Sequence, residues 1–252
     1  MKRLLSVCIA LLVGQLAFSP TVFAELKLPA MFTDGAVLQQ EMAVPVWGWS
    51  DPGAEVKVTF AGQTQTTKAG SDGKWSVKLD KLKANKTGTE LTVSSGGDSL
   101  SVKDVLVGEV WFCSGQSNME WSVRQALMPE QIKPDELPMI RHIKVPHVRA
   151  QEKANDFKGQ WTACNKNSVG GFTAVGFFFA YELQKKLDVP VGLIGCNWGG
   201  TRIEPWTPPE GFAQVDELDA NSLKDTSTMF NGMVAAVQPY AIKGAIWYQG
   251  ES

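Results

Sequence analysis

The chain has 252 residues, with 24 lysines and arginines against 26 aspartates and glutamates, a net charge of −2 and 44% hydrophobic residues. This composition is ordinary for a globular protein that buries a sizeable core. Because no dense basic run is present to neutralise a phosphate backbone, we expect no nucleic-acid partner, and a neutral or sugar-like substrate is favoured.

The first 24 residues have the three-part pattern of a secretory signal peptide. Lys2 and Arg3 form the basic start, Leu4–Phe18 is the apolar run, and Val22–Ala24 supplies small residues at the cleavage position. A retained membrane anchor is disfavoured because the apolar run is shorter than the ~20 residues that a spanning helix needs. We therefore expect a mature chain that starts at Glu25, is secreted or periplasmic, and has no stable membrane association.

Three cysteines lie beyond the predicted signal peptide, namely Cys113, Cys164 and Cys196. An odd number favours free thiols over a disulfide framework. Cys113 and Cys196 lie in apolar, strand-like runs, where a cysteine usually serves as a small buried hydrophobe. Since no cysteine and histidine residues are closely spaced, we expect no metal site and no cofactor.

Residues 25–103 consist of short alternating segments separated by turn residues. The clearest predicted strands are Val44–Trp49, Glu55–Phe60 and Ser71–Leu79, and Asp51-Pro52-Gly53 marks a turn between the first two. This pattern predicts an all-β domain, most simply a small sandwich.

Residues 104–252 alternate between predicted strands and helices. The predicted strands are Val105–Cys113, Val191–Asn197 and Ala241–Tyr248, and the predicted helices are Ala174–Leu187 and Met229–Val237. Such alternation indicates an α/β domain with a parallel sheet covered by helices on both faces. In such sheets ligands bind outside the carboxyl ends of the strands.

A small polar block follows each of the three predicted strands. The blocks are Ser114–Asn118, Asn197–Thr201 and Gln249–Ser252. Glycines in such blocks often serve only to make tight turns between strand and helix. Three blocks at the same edge of one sheet favour a site over three unrelated turns.

The blocks contain the parts of an acyl-transfer site. Ser117 is the candidate nucleophile. The backbone N–H of Ser117, that of Gly199 or Gly200, and the side-chain amide of Gln249 are the candidate donors to a developing oxyanion. Glycine at positions 199 and 200 would let a substrate carbonyl approach the backbone.

A general base is not apparent. The two histidines, His142 and His147, lie in Pro138–His147, which is predicted to be an extended, partly buried strand and an adjoining loop, where histidines are usually structural. Met119 also stands where the nucleophile elbow G-x-S-x-G needs its second glycine. This difference argues against a lipase-like α/β-hydrolase and favours another serine esterase design.

The segments Gly115–Trp121, Asn197–Thr201 and Ile246–Ser252 resemble the signature blocks of the sialate O-acetylesterase family, within the SGNH (GDSL-like) hydrolase superfamily. The β-rich segment before them is similar to the amino-terminal domain of that family. The resemblance implies a flavodoxin-like α/β/α fold. It also implies a serine carboxylesterase that removes acetyl groups from sugars through an acetyl-serine intermediate, with sialic acids as substrates in some members and xylan or other glycans in others.

By the same resemblance, Ser117 corresponds to the nucleophile, Gly199 and Gly200 to the second oxyanion block, and Gln249 to the third. We expect four further residues near these blocks to contact substrate: Asn118, Trp198, Arg202 and Glu251. Arg202 and Glu204 follow the glycine pair, where an arginine is suited to a sugar carboxylate, and the slightly favoured alternative is a local salt bridge or a solvated loop. Trp121, Trp198 and Trp206 fit either a pocket wall or the core.

Members of this family carry the catalytic histidine, with an aspartate a few residues before it, downstream of the third block. No Asp-x-x-His occurs in this sequence. We therefore expect an amino-terminal portion of a longer enzyme, with an α/β domain incomplete at its carboxyl end, a base beyond residue 252, and little activity by itself. The alternative is a glycan-binding protein that has lost its catalytic machinery, since some of its nine tryptophans would suit stacking on sugar rings, although core packing is favoured for Trp111 and Trp247. The sequence does not indicate an oligomeric state.

Overall fold

The computed structural model describes residues 25–214 and 223–251. The predicted signal peptide and Ser252 lie outside the described residues. In chain order the strands are β1 Val37–Gln39, β2 Val44–Trp49, β3 Glu55–Phe60, β4 Gln63–Lys68, β5 Lys74–Leu79, β6 Asn85–Ser95, β7 Asp98–Gly115, β8 Ile140–Lys144, β9 Thr162–Ala163, β10 Val191–Asn197 and β11 Gly244–Tyr248. The α-helices are α1 Ser117–Glu120, α2 Ala174–Leu187 and α3 Pro209–Phe212.

In the amino-terminal region β2–β6 form antiparallel pairs in two sheets, whereas β1 pairs parallel with β7. Strands β2 and β3 have the predicted bounds, and the third predicted segment forms β5. Strand β2 pairs with β5, while β3 lies between β4 and β6. The alternating side chains of these strands place Val46, Val58 and Val77 in one hydrophobic cluster. The domain limits of 25 and 103, and the description as a sandwich, stay predictions.

Strand β7 is 18 residues long and belongs to both parts of the fold. Its first part pairs antiparallel with β6, from Asp98 to Val107. Its last part pairs parallel with β10, from Glu109 to Gly115. The predicted boundary between residues 103 and 104 therefore lies within a continuous strand.

The parallel part of the sheet has the order β8-β10-β7-β11, and β9 pairs antiparallel with β8 at the edge. The prediction of a mixed α/β structure with a large sheet is confirmed. Strand β8 lies in the segment that we predicted to be extended, and it adds a parallel strand beyond the three predicted ones.

The two faces of this sheet are covered by different helical segments. Consecutive residues of β10, Leu193 and Ile194, belong to different hydrophobic clusters, because side chains alternate across a strand. Leu193 shares its cluster with Phe177 of α2, whereas Ile194 shares its cluster with Met233. The finer description as a flavodoxin-like α/β/α fold stays a prediction.

The segment Met229–Val237, which was predicted to be a helix, forms irregular helical turns. It forms a π-helical turn over Phe230–Val234 and a 3₁₀ turn over Ala235–Val237. Gly232 lies so close to the backbone of Val148 that a Cβ atom would be 2.3 Å from the Val148 carbonyl oxygen.

Within the described ranges, no helix has both the length and the apolar character required to cross a lipid bilayer.

Candidate functional site

Ser117 is exposed at the carboxyl end of β7, where the chain turns sharply into α1. The turn depends on Gly115, which has φ = +133°. A Cβ atom at this position would lie 2.0 Å from the carbonyl oxygen of Tyr248. The same carbonyl accepts a 2.9 Å hydrogen bond from the Gln116 N–H. A glycine is therefore needed for β11 to reach the turn that presents Ser117.

Hydrogen bonds from residues at the start of α2 fix the helical turn that Ser117 begins. Met119 is fully buried, and its carbonyl accepts a 2.6 Å hydrogen bond from the Thr173 hydroxyl at the start of α2. The Ala174 N–H donates to the Trp121 carbonyl over 2.8 Å. These contacts hold the turn that carries Ser117 against the body of the fold.

The second block lies directly against Ser117. A Cβ atom at Gly199 would be 3.3 Å from the Ser117 Cβ and 3.0 Å from Oε2 of Glu120. The Gly199 N–H donates a 2.6 Å hydrogen bond to that same oxygen. Gly200 has φ = +70°, and a Cβ there would meet no atom within 4 Å. The structure thus brings together the serine and the glycine pair that the sequence predicted.

The third block also reaches this edge. Asn118 donates from Nδ2 to Oε1 of Glu251 over 2.6 Å, and Gln249 donates from Nε2 to the Thr201 carbonyl over 3.5 Å. The first block thus contacts the third through Asn118, and the third contacts the second through Gln249. Asn118 and Glu251 bond to each other here, and their predicted contacts with substrate stay predictions.

Three backbone N–H groups at this edge of the sheet differ in whether they already form a hydrogen bond. The Gly199 N–H is already bonded to Glu120, whereas the N–H groups of Ser117 and Gly200 form no hydrogen bond with any residue that the structure describes. Preorganised, unbonded N–H groups are the usual donors to an oxyanion. Of the predicted glycine pair, Gly200 is therefore the better candidate.

Trp198 packs against charged and aromatic neighbours. The His147 ring stacks on it with centroids 4.4 Å apart and an interplanar angle of 5°. The guanidinium carbon of Arg149 lies 5.4 Å from the indole centroid. His147 thus covers one face of the Trp198 ring.

The other predicted aromatic and charged residues differ in their surroundings. Trp206 is buried, and its Nε1 donates to the Thr201 hydroxyl over 2.9 Å, so it belongs to the core. Trp121 is 50% exposed. Arg202 forms a 3.0 Å salt bridge with Glu204. Its predicted contact with substrate stays a prediction.

Neither histidine is hydrogen-bonded to the Ser117 hydroxyl. His142 is buried against Phe172, with ring centroids 4.8 Å apart, and Gly195 leaves room for its ring. Burial lowers the pKa of His142 to about 3, with a smaller contribution from Lys144. His142 is thus a neutral residue of the core, whereas His147 is partly exposed.

His147 lies close to the blocks but is bonded elsewhere. Its Nε2 is 2.8 Å from Oε1 of Glu120 and 3.0 Å from the Asn197 carbonyl oxygen. Sequence reasoning missed Glu120, which contacts both this histidine and the glycine pair. The available signal was its position on the same helical turn as Ser117, three residues later.

A cavity of about 490 Å³ opens beside the glycine pair. It is lined by Arg149, Gly200, Thr201, Arg202, Glu204, Pro205, Leu223, Lys224 and Asp225. Arg149 is paired with Asp225 at 3.0 Å.

Among the residues that the structure describes, no three histidine, cysteine or acidic side chains are grouped so as to hold a metal ion.

The protein is of the α/β class. A serine, a glycine pair and a side-chain amide lie together at the carboxyl ends of its parallel strands, which is the usual position of a ligand site in such a sheet. The family model described as a carbohydrate esterase, sialic acid-specific acetylesterase, matches residues 107–252. The chain belongs to this family, and the resemblance seen in the sequence is confirmed.

Individual relatives agree with this assignment. Human sialate O-acetylesterase is 33% identical over 257 residues, which cover 90% of this chain and 49% of the relative. The mouse protein of the same name is 29% identical over 270 residues, covering 86% and 50%. A crystal structure of a carbohydrate acetylesterase from Xanthomonas citri matches with a TM-score of 0.81 and 39% identity, covering 90% of this chain and 51% of that one. The chain thus spans about half the length of the curated relatives it matches.

Proposed function

We propose that this chain carries the nucleophile and the oxyanion donors of a serine carbohydrate O-acetylesterase. The observation that carries the proposal is the contact between the exposed Ser117 turn and the glycine pair, 3.3 Å from the Ser117 Cβ to a Cβ position at Gly199. A nucleophile and unbonded backbone donors at one edge are what acyl transfer requires. The names of the relatives support an acetylated sugar as the substrate.

In the proposed reaction the Ser117 hydroxyl attacks the acetyl carbonyl and gives its proton to a general base. The N–H groups of Ser117 and Gly200, with the Gln249 amide, stabilise the oxyanion of the tetrahedral intermediate. The sugar leaves as an alcohol once its oxygen is protonated, which produces an acetyl-serine. Water then attacks this ester, releasing acetate and regenerating the serine.

The general base is proposed to come from outside the described residues. His142 is buried in the core, and Nε2 of His147 is hydrogen-bonded to the Asn197 carbonyl and lies 2.8 Å from Oε1 of Glu120, so neither accepts the Ser117 proton in this arrangement. A nucleophile without its base loses several orders of magnitude in rate, because the two act as one unit. The 252-residue chain alone is therefore expected to be a poor esterase.

The substrate is proposed to enter through the cavity beside Gly200. Arg149, Arg202 and Lys224 line it, which favours an acetylated sugar with a carboxylate, such as a sialic acid. Because both arginines already pair with acidic neighbours, a neutral acetylated xylan or another glycan is the second candidate. The secretory pattern of the first 24 residues supports a secreted or periplasmic location, where such glycans occur.

Hydrolysis of p-nitrophenyl acetate tests the proposal. The full-length gene product should turn over this ester, Ser117→Ala should abolish the turnover, and the 252-residue chain should be slower by several orders of magnitude. Turnover by the Ser117→Ala variant would contradict the proposal. A full-length protein that binds glycans without turnover would instead support the glycan-binding alternative.

A second assay identifies the substrate class. Release of acetate from O-acetylated sialic acid should exceed release from acetylated xylan if the basic residues recognise a carboxylate. Arg149→Ala should then reduce kcat/KM for the sialic acid and leave p-nitrophenyl acetate unaffected. Equal activity on the two sugars would favour the neutral glycan.

A further inference from the structure

The side chain of Glu120 joins the nucleophile turn to the glycine pair. Oε2 accepts the 2.6 Å hydrogen bond from the Gly199 N–H, and Oε1 lies 2.8 Å from Nε2 of His147. Lys144 is a third partner, with its Nζ 3.7 Å from Oε1. The Glu120 side chain is 26% exposed, so these bonds are partly shielded from water.

The hydrogen bond between Glu120 and Gly199 connects two parts of the candidate site. Glu120 ends α1, the four-residue turn that Ser117 begins. The bond therefore runs from the turn that carries the nucleophile to the loop that carries the candidate oxyanion donor Gly200. A hydrogen bond to a carboxylate is about twice as strong as one between neutral groups, which makes it suited to fixing one loop against another.

The Gly199–Glu120 bond also determines which N–H of the glycine pair stays available. With the Gly199 N–H engaged, the neighbouring N–H of Gly200 is left without a partner among the described residues. Gly200 has the open side, since a Cβ atom there would meet nothing within 4 Å. Gly200 is also one of the residues that line the cavity.

We propose that Glu120 is a positioning residue that holds the glycine pair beside Ser117 so that the Gly200 N–H stabilises the oxyanion. His147 and Lys144 hold the carboxylate of Glu120 in place. Glu120 touches neither the reacting atoms nor the sugar, and it acts through the Gly199 peptide. The proposal rests on the esterase function proposed above.

Two substitutions at position 120 separate the hydrogen bond from the charge. Glu120→Gln keeps an oxygen that can accept the Gly199 N–H, whereas Glu120→Ala removes the acceptor. In the full-length gene product we expect Glu120→Ala to lower kcat for p-nitrophenyl acetate about 10- to 100-fold with KM nearly unchanged, the signature of lost transition-state positioning. Glu120→Gln should retain at least about a third of the kcat.

His147→Phe tests the second part of the arrangement. Phenylalanine keeps an aromatic ring against Trp198 but removes the nitrogen that bonds to Glu120. Because Lys144 remains, we expect a smaller fall in kcat than for Glu120→Ala, about two- to fivefold. Glu210→Gln is the matched control, because Glu210 is an exposed carboxylate paired with Lys153 at 3.4 Å, and its kcat should equal that of the wild type.

The proposal and the esterase function can fail separately. If Ser117→Ala retains activity, the esterase function itself is wrong. With Ser117-dependent activity established, three results would overturn the role of Glu120: a wild-type kcat in Glu120→Ala, a raised KM with unchanged kcat, or equal losses in the Ala and Gln variants. Thermal unfolding of each variant, with a Tm close to the wild type, shows that the comparison is between folded proteins.

Discussion

Asn118 and Glu251, 133 residues apart in the chain, are joined by a 2.6 Å hydrogen bond from Nδ2 to Oε1. Asn118 follows the candidate nucleophile, and Glu251 follows β11, so the bond connects the first and third blocks directly. Both side chains are exposed, which makes the pair accessible to substrate as well as to each other.

A double-mutant cycle measures this link. Asn118→Ala and Glu251→Ala should each lower kcat/KM of the full-length gene product, and the double variant should lose less than the sum of the two. We expect a coupling energy of about 1 kcal/mol, because a hydrogen bond to a charged group is strong but this one is exposed to water. Strictly additive losses would show that the two residues act on substrate independently.

Gly115→Ala should be among the most destabilising substitutions in the chain. The new Cβ would lie 2.0 Å from the Tyr248 carbonyl oxygen, so β11 would have to move away from β7. We expect a loss of about 3 kcal/mol or more in the free energy of unfolding, measured by denaturant titration. Gly250→Ala is the control, because its φ of +138° is similar but its Cβ would meet nothing within 4 Å.

The Gly250→Ala control should lose only about 1 kcal/mol, the usual result of placing a side chain at positive φ. Equal losses in the two variants would show that backbone conformation alone, and not the close approach of Tyr248, determines the need for glycine at position 115.

His142 should make stability depend on pH in the acidic range. Burial lowers the pKa of His142 to about 3 from 6.5, so between these values the unfolded chain binds a proton that the folded protein excludes. The contribution of His142 to the free energy of unfolding is therefore fully present above about pH 6.5, and it decreases as the pH falls towards 3. At pH 4.5 the loss should be about 3 kcal/mol relative to pH 7.5.

His142→Leu should lack this contribution. Its stability at pH 7.5 should be close to that of the wild type, because Nε2 of His142 has no hydrogen-bond partner within the described part of the chain. Denaturant titrations at pH 7.5 and 4.5 on both proteins isolate the effect, since the other titrating groups are common to both. Parallel pH dependences would contradict this account of His142.

The buried cysteines should react slowly with thiol reagents. Cys113, Cys164 and Cys196 are free and buried, and burial raises the pKa of the Cys113 and Cys164 thiols to about 12. At pH 8 this lowers the thiolate fraction about 1,000-fold relative to the ordinary value of 9.0. In a Cys8→Ser variant, labelling with Ellman's reagent should be slow in the native protein and rapid after unfolding, and rapid native labelling would refute the burial of these three thiols.

Much of the secondary structure follows from local sequence. Strands β2 and β3 begin and end where alternation and turn residues predict, because a half-buried strand needs an apolar residue at every second position. Helix α2 also has its predicted bounds of Ala174 and Leu187. Its start is fixed by the Thr173 hydroxyl, which accepts a hydrogen bond from the Gly176 N–H.

The features missed by the sequence depend on contacts between distant segments. No local pattern shows that Asp98–Gly115 is a single strand, because its two parts pair with different partners. Glu120 is the clearest case in the site. A glutamate on a short helical turn is ordinary in sequence, and its importance comes from His147 and Gly199, which lie 27 and 79 residues further along the chain.

The 18 residues of β7 also bear on how the protein unfolds. Because β7 pairs with β6 in its first part and with β10 in its last part, the antiparallel and parallel parts of the large sheet share one strand. Opening of the antiparallel part would leave β7 held near the Ser117 turn by β10 and β11 alone. We therefore expect unfolding of the amino-terminal region to weaken the support of the Ser117 turn through β7.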